Sequence, residues 1–145
     1  AISFLQHSST IPCVINGIKI IVAMAKVMNN EKDINLNEIF KFHGDIKNKR
    51  LKGHTLNYIG KILLNIDDQH ISEAEDWIKR AIETNQKYGT KWNLARDYAL
   101  YAELFKRKSD LTKAKENLKT AIGIFKECGA DGWVGKCERE LAELS

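Results

Sequence analysis

Residues 71–89, ISEAEDWIKRAIETNQKYG, and residues 111–129, LTKAKENLKTAIGIFKECG, carry one pattern twice, 40 positions apart. Ile71 matches Leu111, Ala74 matches Ala114 and Ile78 matches Leu118. The pair Ala81-Ile82 matches Ala121-Ile122, and Gly89 matches Gly129. Self-similarity at a fixed period marks a repeat architecture. Within each copy the apolar positions fall at i, i+3, i+7, i+10 and i+11, one face of a helix. The alanines stand where two helices must approach closely. The closing glycine suits the left-handed residue that ends many helices, because it has no Cβ to clash.

A second helical stretch precedes each copy: residues 54–66, HTLNYIGKILLNI, and residues 92–108, WNLARDYALYAELFKRK. The connections, Asp67-Asp68-Gln69-His70 and Ser109-Asp110, are short, polar and rich in turn and N-cap residues. Connections this short force neighbouring helices to run antiparallel. The predicted unit is a helical hairpin, repeated.

These residues resemble the tetratricopeptide repeat family. Tyr98, Tyr101, Ala102 and Phe105 match the marker positions of that repeat's first helix, and Ala114, Leu118 and Ala121 those of its second. In the preceding repeat Leu56, Ile59, Gly60 and Leu63 correspond, followed by Ala74, Ile78 and Ala81 across a connection two residues longer. The usual proline after the second helix is missing from both repeats. That departure resembles the variety of about 40 residues per repeat found in large signalling proteins. Residues 124–144, IFKECGADGWVGKCERELAEL, are similar to the C-terminal tail of multidomain prokaryotic regulators that carry cyclase, kinase or ATPase modules. The likeness extends over residues 55–144. It implies an all-α fold of antiparallel hairpins stacked as a right-handed solenoid.

On this pattern the chain is expected to form a single tetratricopeptide-like domain. Residues 12–53 would be a degenerate repeat, with helices over 12–29 and 36–49 and a loop over 29–33. Residues 54–91 and 92–129 would be the two clear repeats. Residues 130–145 would form a capping helix, with Trp133, Val134, Cys137 and Leu141 on one side and Lys136, Glu138, Arg139, Glu140 and Glu143 on the other. A polar outer face keeps the open end of a stack soluble. Trp92 and Trp133 each open a helix after a glycine turn. With Trp77, Tyr98 and Tyr101 they are expected to pack in the core.

Composition agrees with a helical, soluble chain: 145 residues, 43% hydrophobic, 29% charged and a single proline, Pro12. The chain opens on Ala1 rather than Met, from which a longer parent protein is expected. Residues 11–28 are the most apolar stretch, interrupted by Asn16, Gly17, Lys19 and Lys26. They are expected to be a core helix rather than a membrane span. Cys13, Cys128 and Cys137 lack metal spacing and are expected to be free, buried or half-buried thiols in a reducing cytosol.

The net charge of +4 arises in the N-terminal third, where Lys47, Lys49, Arg50 and Lys52 cluster. The cluster is expected at the C-terminal end of a helix, where cations suit the dipole. With no interleaved aromatic residues and no reading motif, nucleic-acid contact there is a minor alternative.

No enzyme chemistry is expected. His7, His43, His54 and His70 are scattered, with no convergent metal-ligand spacing. The turn Gly129-Ala130-Asp131-Gly132 lacks the spacing of a phosphate loop. Asp67, Asp68, Glu73, Glu75 and Asp76 sit at a helix start, where acids stabilise the dipole. Ser8-Ser9-Thr10 has no nucleophile-elbow context. No catalytic, cofactor-binding or metal residues are assigned.

The expected role is binding of a protein or peptide partner in the cytoplasm, without a membrane. In the tetratricopeptide family the first helices line a concave face. By register its free positions here are Asn57, Lys61 and Asn65 in one repeat, and Arg96, Glu103, Lys106 and Arg107 in the next. This set suits an acidic peptide. The alternative is a self-association or spacer module that dimerises through residues 11–28.

Overall fold

The computed structural model describes residues 2–145, with side chains from Thr10 onward. His7, Ser8 and Ser9 therefore lie outside the described side chains. Among the described residues there are seven α-helices and no strand: α1 Ile2–Met28, α2 Leu36–Asp45, α3 Lys49–Ile66, α4 Ile71–Lys87, α5 Lys91–Arg107, α6 Leu111–Glu127 and α7 Asp131–Glu143. A 3-10 turn, Asp68–His70, leads into α4 and accounts for the longer connection in that repeat. The all-α expectation is met.

The chain divides into two compact units, Ala1–Ala74 and Glu75–Ser145. In the first, α1 packs against α2 and α3. The Lys19 ammonium lies over the Phe42 ring, and the Lys47 amide donates to Cys13 Sγ at 3.4 Å. Positions on α1 thus fall as positions on α2 rise, so these two helices are antiparallel. A Cβ on Gly17 would meet Leu51 Cδ1 at 3.3 Å, so α1 and α3 approach closely there. Ile20, Ile46, Ile59, Ile62, Leu63 and Leu64 are fully buried in this unit.

The second unit alternates in direction in the same way. Asn85 meets Asp97 and Glu75 meets Lys108, which makes α4 and α5 antiparallel. Lys91 meets Glu127, which does the same for α5 and α6. Ala95, Ala102, Leu118, Ala121, Ile122, Phe125, Val134 and Cys137 form one core cluster. The matched alanines Ala74, Ala81, Ala114 and Ala121 and the matched Ile78 and Leu118 are all fully buried. The first matched pair behaves otherwise: Ile71 is half-buried and Leu111 exposed, since each opens its helix and has no preceding turn to cover it.

The four C-terminal helices begin at residues 71, 91, 111 and 131, a period of 20. Gly89 and Gly129 have φ of 64° and 67°. The Thr90 and Ala130 amides reach back to the Asn85 and Phe125 carbonyls at 3.0 Å, which closes a Schellman turn at each. Ser109, at φ 60°, holds the same turn without glycine, with the Asp110 amide donating to Phe105 O at 2.9 Å. Asn30, at φ 65°, ends α1 in the same way.

Two expected boundaries are corrected. The first helix runs back through Pro12 to Ile2, at the cost of the hydrogen bond that proline cannot donate. The second ends at Asp45 rather than residue 49, because Asn48 caps a new helix by accepting from the Leu51 amide at 3.0 Å. Lys49, Arg50 and Lys52 therefore lie in the first turns of α3 and not at a helix C-terminus. Cations are unfavourable at that end of the dipole, and the expected dipole benefit is reversed.

Candidate functional site

Helix α1 is apolar on two sides. Cys13, Ile20, Ala23 and Val27, with Gly17 among them, form a stripe at i, i+4, i+7, i+10 and i+14 that is buried within the first unit. A second stripe remains open. Ile11 is 63% exposed and Ile18 53%, and Val14, Ile15, Ile21, Val22 and Met28 are each at least 40% exposed. A helix that is hydrophobic all round is ordinarily buried all round. Single exposed aliphatic residues need no explanation, but a contiguous row of seven is an uncommonly apolar surface.

Within Thr10–Met28 an 18-residue window has a mean hydropathy of 1.8, long and apolar enough to cross a membrane by length and composition. Lys19 and Lys26 do not make the stretch too polar on that measure, contrary to the sequence expectation. Only 28% of it is buried, so the expected core helix is a core element along one side alone.

The residues expected to line a groove are held in other ways. In the first unit Asn57 is buried at 6% exposure. Lys61 and Asn65 are half-buried. The Asn65 amide donates to Lys61 O at 2.8 Å, and Asn65 O accepts from the Lys32 ammonium. In the second unit Arg96 is half-buried. Glu103 pairs with Lys106 and, at 3.6 Å, with Arg107. Lys106 also lies 3.7 Å from Glu140 of α7. An incoming carboxylate would compete there with two carboxylates already in place.

A second polar cluster lies in the same unit. Glu75 accepts from Tyr101 Oη at 3.0 Å and from Lys108 at 2.8 Å, and lies 3.1 Å from Lys79. The Lys108 hydrogen bond holds the Glu75 carboxyl down to about 2. Burial, with the adjoining carboxylate, pushes Tyr101 up to about 12. Two acceptor-satisfied groups of this kind tie α4 to α5 and offer no proton near neutral pH.

The aromatic residues are only partly internal. Phe125 is fully buried, its ring centroid 5.3 Å from Trp92 and 5.4 Å from Trp133. Trp92 is nevertheless 39% exposed. Trp77 is half-buried beneath the Arg80 guanidinium, 4.4 Å from its ring. Cys13 and Cys137 are buried but Cys128 is exposed, since it stands at the solvent-facing C-cap of α6. Among the described residues no group of three or more His, Cys, Asp or Glu side chains is placed to hold a metal ion.

Comparison with family models, curated proteins and solved structures returns no match for this chain.

The sequence named residues 11–28 as a surface for self-association, and the open stripe lies within them. It did not reveal which face would be open, because the helix carries two apolar stripes of similar character. The signal available was the double spacing, with one heptad through positions 11, 18 and 25 and another through 13, 20 and 27.

Proposed function

We propose that the chain is a non-catalytic interaction module of tetratricopeptide type, and that it binds another polypeptide through the open stripe of α1. That stripe is the observation that carries the reading. The alternating helices, the buried small residues at matched positions and the 20-residue helix period support the solenoid arrangement. The likeness of residues 124–144 to regulator tails supports a place in a larger cytoplasmic signalling protein.

The test asks whether the stripe belongs to the chain's own core. The double variant Ile18→Gln/Val22→Gln is compared with the wild type in thermal melts at about 1 μM, a dilution chosen to leave a modest interface unformed. An unchanged or slightly raised Tm supports a binding face. A fall of about 5 °C or more would mean that the stripe stabilises the isolated fold, and would remove the reading.

A further inference from the structure

We infer that the occupant of the open α1 stripe is the same stripe of a second copy, laid antiparallel. This rests on the interaction reading above and names its partner.

The register supports a helix as the occupant. Ile11, Ile18 and Ala25 repeat every seven residues, and so do Val14, Ile21 and Met28, three positions on. These are the a and d positions of a heptad, the seam by which two helices interlock. The seam is about 26 Å long at the helical rise. The stripe's seven exposed side chains, five of them in the seam and Ile15 and Val22 beside it, offer up to about 600 Å² per copy, about 1,200 Å² for a pair if fully covered, the lower bound of a specific interface.

Self-pairing in the antiparallel sense is complementary in size and keeps like charges apart. An a position then faces a d position of the other copy. Ile18 meets Ile21, Ile11 meets Met28, and the small Ala25 meets Val14. The parallel sense would leave Ala25 opposite Ala25 and a gap between. The basic run Lys47, Lys49, Arg50 and Lys52 lies beside the N-terminal half of α1, by the Cys13 and Gly17 contacts. The mixed-charge segment Glu31-Lys32-Asp33 follows its C-terminal end. Antiparallel pairing sets the basic runs of the two copies at opposite ends of the seam, whereas parallel pairing places them at the same end, like charge near like.

A lipid bilayer fits less well as the occupant. The opposite side of α1 is packed against α2 and α3, which carry Glu38, Lys41, Asp45 and the basic run. A spanning helix would have to take those charges with it or leave them. Lys19 and Lys26 also stand directly beside the stripe.

Sedimentation equilibrium of the chain is the deciding experiment. The wild type is expected to pass from monomer to dimer between about 1 and 100 μM, and Ile18→Glu to weaken the dimer at least about tenfold with an unchanged circular dichroism spectrum. Orientation is read in a Cys128→Ser background. An oxidised mixture of Ile11→Cys and Met28→Cys chains should give the mixed disulfide dimer, and Ile11→Cys alone should not. A wild type that stays monomeric to about 200 μM overturns the second copy as occupant. So does a monomer that co-sediments with phosphatidylcholine–phosphatidylglycerol vesicles. Cross-linking of Ile11→Cys to itself overturns the antiparallel arrangement. The interaction reading itself falls separately, on the melting experiment.

Discussion

Asn85 donates its side-chain amide to the fully buried carboxylate of Asp97 at 2.6 Å, joining α4 to α5 at the end where the helices turn. Thr90 Oγ1 completes the arrangement by donating to Asn85 Oδ1 at 2.7 Å. Burying a carboxylate is unfavourable unless it is hydrogen-bonded, so the two residues depend on each other. Asp97→Ala strips the Asn85 amide of its acceptor and should cost about 2 kcal/mol. Urea unfolding would measure it. A midpoint equal to the wild type's would show that the pair contributes nothing.

Glu75 makes stability depend on acid. Its carboxyl ordinarily titrates at 4.5 and is held down to about 2 in the fold, chiefly by the Lys108 hydrogen bond. The folded state therefore binds the proton less readily than the unfolded chain. The contribution is complete above pH 4.5 and lost as pH falls towards 2. Solvent at the Lys108 end screens it, leaving about 2 kcal/mol. Glu75→Gln should be less stable than the wild type at pH 7 and should close most of that gap by pH 2.5. Parallel stability curves across this range would refute the assignment.

The turn at Ser109 is strained where its glycine counterparts at Gly89 and Gly129 are not. A residue with a Cβ in the left-handed region costs roughly 1 kcal/mol. Ser109→Gly should raise stability by about 0.5–1 kcal/mol, the gain offset in part by the freer unfolded chain. Gly129→Ala should lower it by about 1 kcal/mol through the backbone alone, since an added Cβ there meets nothing within 4 Å. Melts of the two variants should shift in opposite directions.

The basic first turn of α3 is unfavourable for its helix. Arg50 is exposed two residues after the Asn48 cap. Arg50→Glu should stabilise the chain by about 0.5 kcal/mol in low salt, and the gain should shrink as salt screens the dipole. Asn48→Ala should cost about 1 kcal/mol by removing the cap. A loss of stability in Arg50→Glu would show that the charge is engaged elsewhere in the fold.

By itself the sequence determined the helices and their buried stripes. Ala74, Ala81, Ala114, Ala121, Ile78 and Leu118 are interior because a 3.6-residue period leaves one face for them, and that periodicity is local. The left-handed ends at Gly89 and Gly129 were legible for a similar reason, since only a residue without a Cβ takes that conformation freely. Ser109 gave no such signal, and its turn follows from the packing of α5 and α6. The start of α3 was misplaced because Asn48 reads equally well as a helix interior or a cap until its side chain is seen to accept the Leu51 amide. Tertiary structure alone decided the surface. Whether Ile18 or Ile20 faces inward on α1 depends on where α2 and α3 lie, and two apolar stripes on one helix are indistinguishable until a neighbour covers one of them. The contact of Lys106 with Glu140 was hidden for the same reason, because it forms only when α7 is brought to α5, whereas the pairing of Glu103 with Lys106 and Arg107 is local to one helix and follows from its three- and four-residue spacing.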